Sequence, residues 1–324
     1  MTVGPDAGRS VIAVTGASGF VGRRLLARLL SDGSPALALS RRGTGVAGVR
    51  DVVVADYRDV PALARTLSGI DSLVHLAGRA HQGVRESDSD SAQRFRAANV
   101  ETTLAVARAC IEAGVRRFVL VSSIGVNGNR THERPFAAAD TPHPVEPYAV
   151  SKWEAERELA ALLRGSAVEY VVLRPPLVYG PGCPGNFASL LGFVANAPVV
   201  PLGGLHALRS LIYVDNLVDA LLVAARHPGL SGNTFLLADG RDISVGEVVR
   251  ELAAVLRPSR SPVGNTPLWL LALLASIAGS RDAYEKLAAP LQVDATEFGR
   301  ATGWHALIDP SEGLRETARQ FCRA

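Results

Sequence analysis

Six short apolar runs, separated by stretches of helical spacing, constrain this chain more than any other feature. "VIAVTG" (11 to 16), "PALALS" (35 to 40), "DVVVAD" (51 to 56), "SLVHLAG" (72 to 78), "RFVLVSS" (117 to 123) and "EYVVLRP" (169 to 175) are short and continuous, and all but "PALALS" contain β-branched residues. A strand that is apolar on both faces has to be covered on both faces, as in a parallel sheet between two helical layers. Segments such as Gly22 to Leu30, Ala92 to Ala113 and Tyr148 to Leu163 have the spacing to supply those helices. The expected fold class is therefore α/β, a doubly wound Rossmann-type parallel sheet with right-handed crossovers.

Composition narrows the classes of function. With 48% hydrophobic residues, 20% charged residues and a formal net charge of +3 over 324 residues, the chain can bury a large core. No run of five or six Lys/Arg forms a patch for nucleic acid. Cys110, Cys183 and Cys322 have neither CxxC nor metal spacing, so reduced thiols in a cytoplasm are expected and no metal site. The opening "MTVGPDAGRS" lacks the apolar core of a signal peptide. "PLWLLALLASIAG" (267 to 279) is shorter than the ~20 residues that span a bilayer, and reads as a buried helix of a smaller lobe.

Chemistry first shows at "TGASGFVG", Thr15 to Gly22, between the first strand and the first helix. Gly16 permits a tight turn, Gly19 lets backbone approach a pyrophosphate, and Gly22 lets the helix pack closely, with free N–H groups facing the phosphates. The spacing is GxxGxxG rather than GxGxxG, and an ordinary glycine turn is the bland alternative. In "YAVSK", Tyr148 and Lys152 lie four apart on one face of a helix entered after Pro147. A phenol with a reference pKa of ~10 becomes a better acid/base partner when an ammonium favours its ionised form. A surface Tyr/Lys pair is the alternative. Ser122 and Ser123 end a strand where parallel sheets hold ligands, and a hydroxyl there can bond a reacting oxygen or merely cap the loop.

With these motifs in place, the chain resembles the extended short-chain dehydrogenase/reductases, the NAD-dependent epimerase/dehydratase family, over nearly its whole length. Asp56 and Asp59 in "DYRD", "HLAG" (75 to 78), Asn99 in "AANVETTL", "LRPPLVYGPG" (173 to 182) and "RSLIYVDNLVDAL" from Arg209 carry the resemblance further. It implies a dinucleotide-binding domain over 1–175, completed by segments around 210–238, and a substrate-binding lobe over 176–324. It also implies Gly16, Gly19, Phe20, Val21 and Gly22 at the pyrophosphate, Asp56 beside the adenine, and Ala77, Gly78, Asn99, Ser122 and Pro175 along the cofactor. Lys152 is expected on the nicotinamide ribose, Tyr148 as acid/base and Ser123 as the catalytic hydroxyl. For a nucleotide sugar, probed also by Ser123 and Tyr148, the expected contacts are His81, Asn127, Asn186, Phe187 and Arg209, the arginine gripping the diphosphate. His75 is expected to be packed, Asp215 to fix the hinge between lobes, and the helices 92 to 113 and 148 to 163 to pair in a symmetric homodimer.

Two departures bear on the substrate. Leu177 stands where many relatives have an Asn, and Asn127 in "VNG" stands where many have a Tyr. The motifs together look most like bacterial UDP-N-acetylhexosamine 4-epimerases and UDP-4-keto-6-deoxy-N-acetylhexosamine reductases of surface-polysaccharide synthesis. At the end of the second strand, "LSRRG" offers Ser40, Arg41 and Arg42 where an Asp would select NAD. A hydroxyl and two cations suit a 2′-phosphate, unless both arginines are solvated loop charges. Cells use NADPH to drive net reductions. The expectation is therefore NADP(H)-dependent reduction of a 4-keto sugar, with an NAD(H)-dependent UDP-sugar 4-epimerase second. A dehydratase would carry an Asp-Glu pair that "SSIGVN" lacks, and a non-catalytic NADP(H)-binding regulator would typically lose the Tyr/Lys pair.

Overall fold

The computed structural model describes residues 10–79, 89–258, 263–277 and 281–323. Strands β1 (Ile12–Thr15), β2 (Ala36–Ser40), β3 (Arg50–Val53), β4 (Ser72–His75), β5 (Arg117–Val121) and β6 (Glu169–Arg174) fall on the six apolar runs. Short strands β7 (Leu177–Tyr179), β8 (Leu208–Arg209) and β9 (Leu211–Tyr213) follow, then β10 (Asn233–Leu236) and β11 (Ile243–Ser244). The main sheet has seven strands in the order β10-β6-β5-β4-β1-β2-β3, every pair parallel. The order reverses at β1, so a crevice opens between the carboxyl ends of β1 and β4.

Helices α1 (Phe20–Ser31), α2 (Val60–Thr66), α3 (Ser89–Phe95), α4 (Thr102–Ala113), α5 (Pro147–Leu163), α6 (Asn186–Asn196) and α7 (Val214–Arg226) are followed by α8 (Val245–Leu256), α9 (Leu268–Ile277), α10 (Arg281–Ala288), α11 (Thr296–Thr302) and α12 (Pro310–Phe321). One apolar core joins the sheet to α1 and α7, and a second joins its other face to α2, α4 and α5. A third, built from α6, α8, β9 and α12, forms the smaller lobe. From segment 210–238, α7 packs on the main sheet and β10 joins it, so the sheet's seventh strand comes from late in the chain, while β9 pairs with β7 in a separate two-stranded sheet.

Local chemistry accounts for the boundaries. Pro147 occupies the first turn of α5, where its missing N–H costs nothing, and Gly114 ends α4 at φ 70°. Ser244 and Glu247 form a reciprocal capping box on α8. Two expectations need correction. The single helix over 92 to 113 is interrupted by a π-helical turn at Arg96–Glu101, a local widening that turns Asn99 inward until it is buried. The helix at 267 to 279 is not a wholly buried one: Leu271 packs into the smaller lobe, but Trp269 is 69% exposed and Leu268 stands outside beside it. Among the described residues, no helix is long and apolar enough to cross a membrane.

Candidate active site

The glycine loop makes its own case for a phosphate cradle. Gly16 has φ 65°, and a Cβ there would lie 2.7 Å from the backbone nitrogen of Ala77. A Cβ at Gly22 would lie 2.5 Å from the Gly16 carbonyl oxygen, so only glycine lets α1 start this close to the loop. Gly19 occupies the N-cap of α1 without a side-chain cap, leaving first-turn N–H groups of Phe20, Val21 and Gly22 directed at the crevice.

The next wall is the segment after β4, fixed from behind by a buried chain of hydrogen bonds. The Thr15 hydroxyl oxygen accepts from the Leu76 and Ala77 amides at 3.2 Å, so its proton goes to His75 Nδ1, 2.8 Å away. His75 Nε2 then donates to Thr103 Oγ1 (3.0 Å), whose own proton goes to the Asn99 carbonyl (2.6 Å). Burial pulls His75 down to about 3, so the ring is neutral and structural, as its sequence context suggests. Asn99 accepts from the Arg79 amide at 2.8 Å and donates to Ser151 Oγ at 2.9 Å, clamping the segment with Ala77 and Gly78 onto α5. A Cβ on Gly78 would lie 2.7 Å from the Asn99 amide oxygen.

Tyr148 and Lys152 project from α5 beside the end of β5. Lys152 Nζ donates to the Val121 carbonyl at 2.9 Å. Burial pulls the ammonium down to about 8, with the Glu156 carboxylate opposing it. Burial pushes the Tyr148 phenol up to about 12, opposed by a hydrogen bond with Ser123. It is therefore burial, not the neighbouring ammonium, that sets the phenol. Ser123 Oγ also accepts from the Gly125 amide at 3.1 Å, which holds the hydroxyl oxygen in place at the start of the 3-10 turn Ile124–Val126. The Pro175 carbonyl accepts from the Ile124 amide at 2.9 Å, tying that turn to β6.

Other expected site residues are placed differently. The Ser122 hydroxyl donates to Glu156 and is buried. Asn127 is buried with both ends of its amide engaged: its amide nitrogen donates to the Ala137 carbonyl at 3.0 Å and its amide oxygen accepts from Arg174 at 2.9 Å. Burying the polar Asn side chain requires both partners, which turns it inward. Phe187 packs its ring 5.5 Å from that of Tyr179 in the smaller lobe's core, leaving only its backbone for a ligand, while Asn186 at the start of α6 is exposed. Arg209 is half-buried, donates to the Ala289 carbonyl at 2.7 Å, and is lowered by burial. His81 lies outside the described residues. Asp56 is exposed and chelated by Arg58 at 3.0 Å, and Asp59 caps α2. Asp215 pairs with Arg24, joining α7 to α1 on one face of the main sheet. Arg41 and Arg42 are exposed, and the Ser40 hydroxyl beside them is buried without a hydrogen-bond partner.

Two residues absent from the sequence reading complete the surroundings. Glu156 is ion-paired with Arg174 (2.6 Å) behind the Tyr148–Lys152 pair, and its spacing of four from Lys152 was the available signal. Asp239 accepts from Tyr179, from the Tyr213 amide and from Asn216 (2.7 Å), and nothing local in "LLADG" marks it. Among the described residues, no group of three or more His, Cys, Asp and Glu is arranged for a metal.

A glycine cradle at a switch point, with Ser, Tyr and Lys at the neighbouring strand end, defines a dinucleotide-dependent oxidoreductase or epimerase site. The profile of the NAD dependent epimerase/dehydratase family matches residues 12–238, and the chain belongs to that family. It is 34% identical over 323 residues to the UDP-glucose 4-epimerase of Vibrio cholerae, covering 97% of this chain and 96% of that one. Among solved structures, MoeE5 in complex with UDP-glucose and NAD superposes with a TM-score of 0.77 at 27% identity, over 97% of this chain and 99% of the other. The UDP-glucose 4-epimerase of Thermotoga maritima with UDP-glucose gives 0.76 at 25% identity, over 97% and 99%. The chain is thus an NAD(P)-dependent enzyme of the extended short-chain dehydrogenase/reductase superfamily, in the nucleotide-sugar epimerase and reductase branch.

Proposed function

We propose that this protein is a UDP-sugar 4-epimerase using NAD. The supporting observation is the meeting of Ser123, Tyr148 and Lys152 at one strand end, in a chain that is 34% identical to an epimerase over 97% of its length. The weight of relatives thus favours the reading placed second on sequence grounds over net 4-keto reduction. The glycine cradle fits a dinucleotide, since Gly16 and Gly22 have no room for a Cβ and the α1 N–H groups are uncapped. When bound, the nicotinamide supplies reversible hydride acceptance from the sugar carbon.

The chain's own residues supply the rest. Tyr148 Oη takes the proton of the C4 hydroxyl and returns it after the sugar has presented its other face. Ser123 bonds the same oxygen while it is a carbonyl, and Lys152 holds ribose hydroxyls and favours the phenolate when the site is filled. Arg209 and Asn186, with His81 and the Phe187 backbone, belong to the substrate side of this reading. On the same reading, 1–175 with 210–238 holds the cofactor. Two copies pair through α4 and α5, where Ile111 and Val150 are exposed, which light scattering checks.

One observation favours a second reading: Ser40, Arg41 and Arg42 suit a 2′-phosphate, and with it NADPH-driven reduction of a UDP-4-keto-6-deoxy-N-acetylhexosamine, Tyr148 protonating the alkoxide. One experiment separates the two. Purified protein is incubated with UDP-glucose or UDP-N-acetylglucosamine without reductant, and the C4 epimer is followed by proton NMR. Epimer at equilibrium supports the first reading. No epimer, with NADPH consumed on a 4-keto-6-deoxy sugar, supports the second. Failure of UDP to bind sinks both.

A further inference from the structure

Glu156 takes no step in the chemistry above, yet it joins every element that carries the catalytic groups. It stands four residues beyond Lys152 and eight beyond Tyr148, on the same face of α5. One carboxylate oxygen accepts from the Ser122 hydroxyl and from Arg174 Nε (3.0 Å), the other from Arg174 Nη2 (2.6 Å). Arg174 continues to Asn127 at 2.9 Å, and its guanidinium lies 5.7 Å from the centre of the Trp153 ring. Glu156 is 4% exposed and Arg174 3%. The network therefore links α5 to the end of β5, the end of β6 and the 3-10 turn that holds Ser123.

A sealed ion pair of this kind is weak support for stability, because its desolvation cost offsets its attraction. Its value lies in geometry, since every acceptor position is specified. Ser122, its partner on β5, is adjacent to Ser123. We propose that Glu156 is a positioning residue that fixes the Tyr148–Lys152 face of α5 against Ser123 and keeps a negative charge behind Lys152. This rests on the catalytic assignment of Tyr148 and Lys152 made above. Lys152 faces Glu156 and Tyr148 on its own helix and the neutral His75 of β4, with Arg174 of β6 behind Glu156; of these, Glu156 favours the ammonium against burial.

The chain has two lysines, Lys152 and Lys286, so 13C-labelled lysine gives two titrating signals and Lys286→Arg assigns them. In Glu156→Gln, the proton affinity of Lys152 is expected to fall about tenfold or more. Turnover should fall about tenfold with its pH profile displaced in the same direction, while NAD dissociation changes less than about threefold. Ser122→Ala leaves the ion pair intact and keeps the proposal falsifiable where the glutamate variant does not fold. There the Lys152 titration should stay, while kcat falls about tenfold at unchanged NAD affinity, the split expected for lost positioning. The proposal is overturned if both variants lose only thermal stability, with Lys152 titrating as before and kcat per folded molecule unchanged. If the unaltered protein epimerises and reduces no nucleotide sugar, the functional reading fails by itself, and the Lys152 titration still decides the role of Glu156.

Discussion

The two edges of the central sheet each hold a buried arginine paired with a glutamate, and the pairs are built differently. At the amino edge Arg117 is fully buried, but its partner Glu169 is 37% exposed and is shared with Arg116, which also binds Asp71 at 2.9 Å. The Arg117 guanidinium donates in addition to the Ala224 and His227 carbonyls, stitching β5 to the end of α7. At the carboxyl edge the Arg174–Glu156 pair is closed to water on both sides and reaches Ser122 and Asn127. One edge uses an ion pair to tie off backbone carbonyls, the other to locate side chains. Parallel strands dictate which edge receives the ligand, because the helices that follow each strand present their N-termini at its carboxyl end.

The contrast is tested most severely by Tyr148→Phe, which removes one oxygen from the carboxyl edge. Turnover should fall by about 10²–10⁴-fold, the range for a lost general acid/base, with thermal stability and cofactor binding kept. Retained turnover would remove Tyr148 from the chemistry. Arg117→Met tests the other edge: two carbonyls lose their donor and Glu169 loses its buried partner, for an expected loss of about 3 kcal/mol in urea denaturation. Its kcat per folded molecule should equal that of the unaltered protein. A kcat deficit at full stability would erase the distinction between the edges.

Asp239 sharpens the comparison, because it lies past the carboxyl end of β10 yet ties together β7, β9 and α7, with its partner Tyr179 continuing to the Pro310 carbonyl at the start of α12. Burial pushes its carboxyl up to about 6. A folded value above the unfolded value means that folding takes up a proton between about pH 4 and 6. The stability it contributes is present below that window and lost as pH rises through about 6, a span of about 3 kcal/mol. Asp239→Asn cannot take up that proton, so the stability of the unaltered protein relative to the variant should grow as pH falls from 7 to 5. A pH-independent difference between the two would show that the carboxyl titrates alike in both states.

How far the sequence could be read follows from the range of the interactions involved. The six strands, the glycine turn and the Tyr148/Lys152 face rest on neighbours within a few residues, and all were legible. Asn127 faces inward because of Arg174, 47 residues on, and Asp215 meets Arg24, 191 residues away; no local pattern carries either. Phe187 was expected as a ligand contact from the family resemblance alone, whereas its ring answers to the aromatic cluster around Tyr179. The π-helical turn at Arg96–Glu101 was hidden for a different reason: its composition is ordinary helix, whereas the Asn99 side chain that it buries answers to the Arg79 amide and to Ser151, 20 and 52 residues away in sequence.

The smallest expected effect concerns charges at the carboxyl end of β2, where Arg41 and Arg42 are exposed beside the unpartnered Ser40 hydroxyl. Replacing both with serine should weaken NADPH binding about tenfold, on the order of 1.4 kcal/mol, and leave NADH unaffected, read by nicotinamide fluorescence. A 2′-phosphate is the only group that distinguishes the two ligands, so a selective loss places the arginines on it. The ratio for the unaltered protein then bears on the reaction: a preference for NADPH moves the chemistry towards net reduction, while equal affinity leaves the epimerase reading undisturbed. If neither ligand responds, the arginines are solvated charges like those outside the amino edge, and carboxyl-edge position alone does not make a charge part of the site.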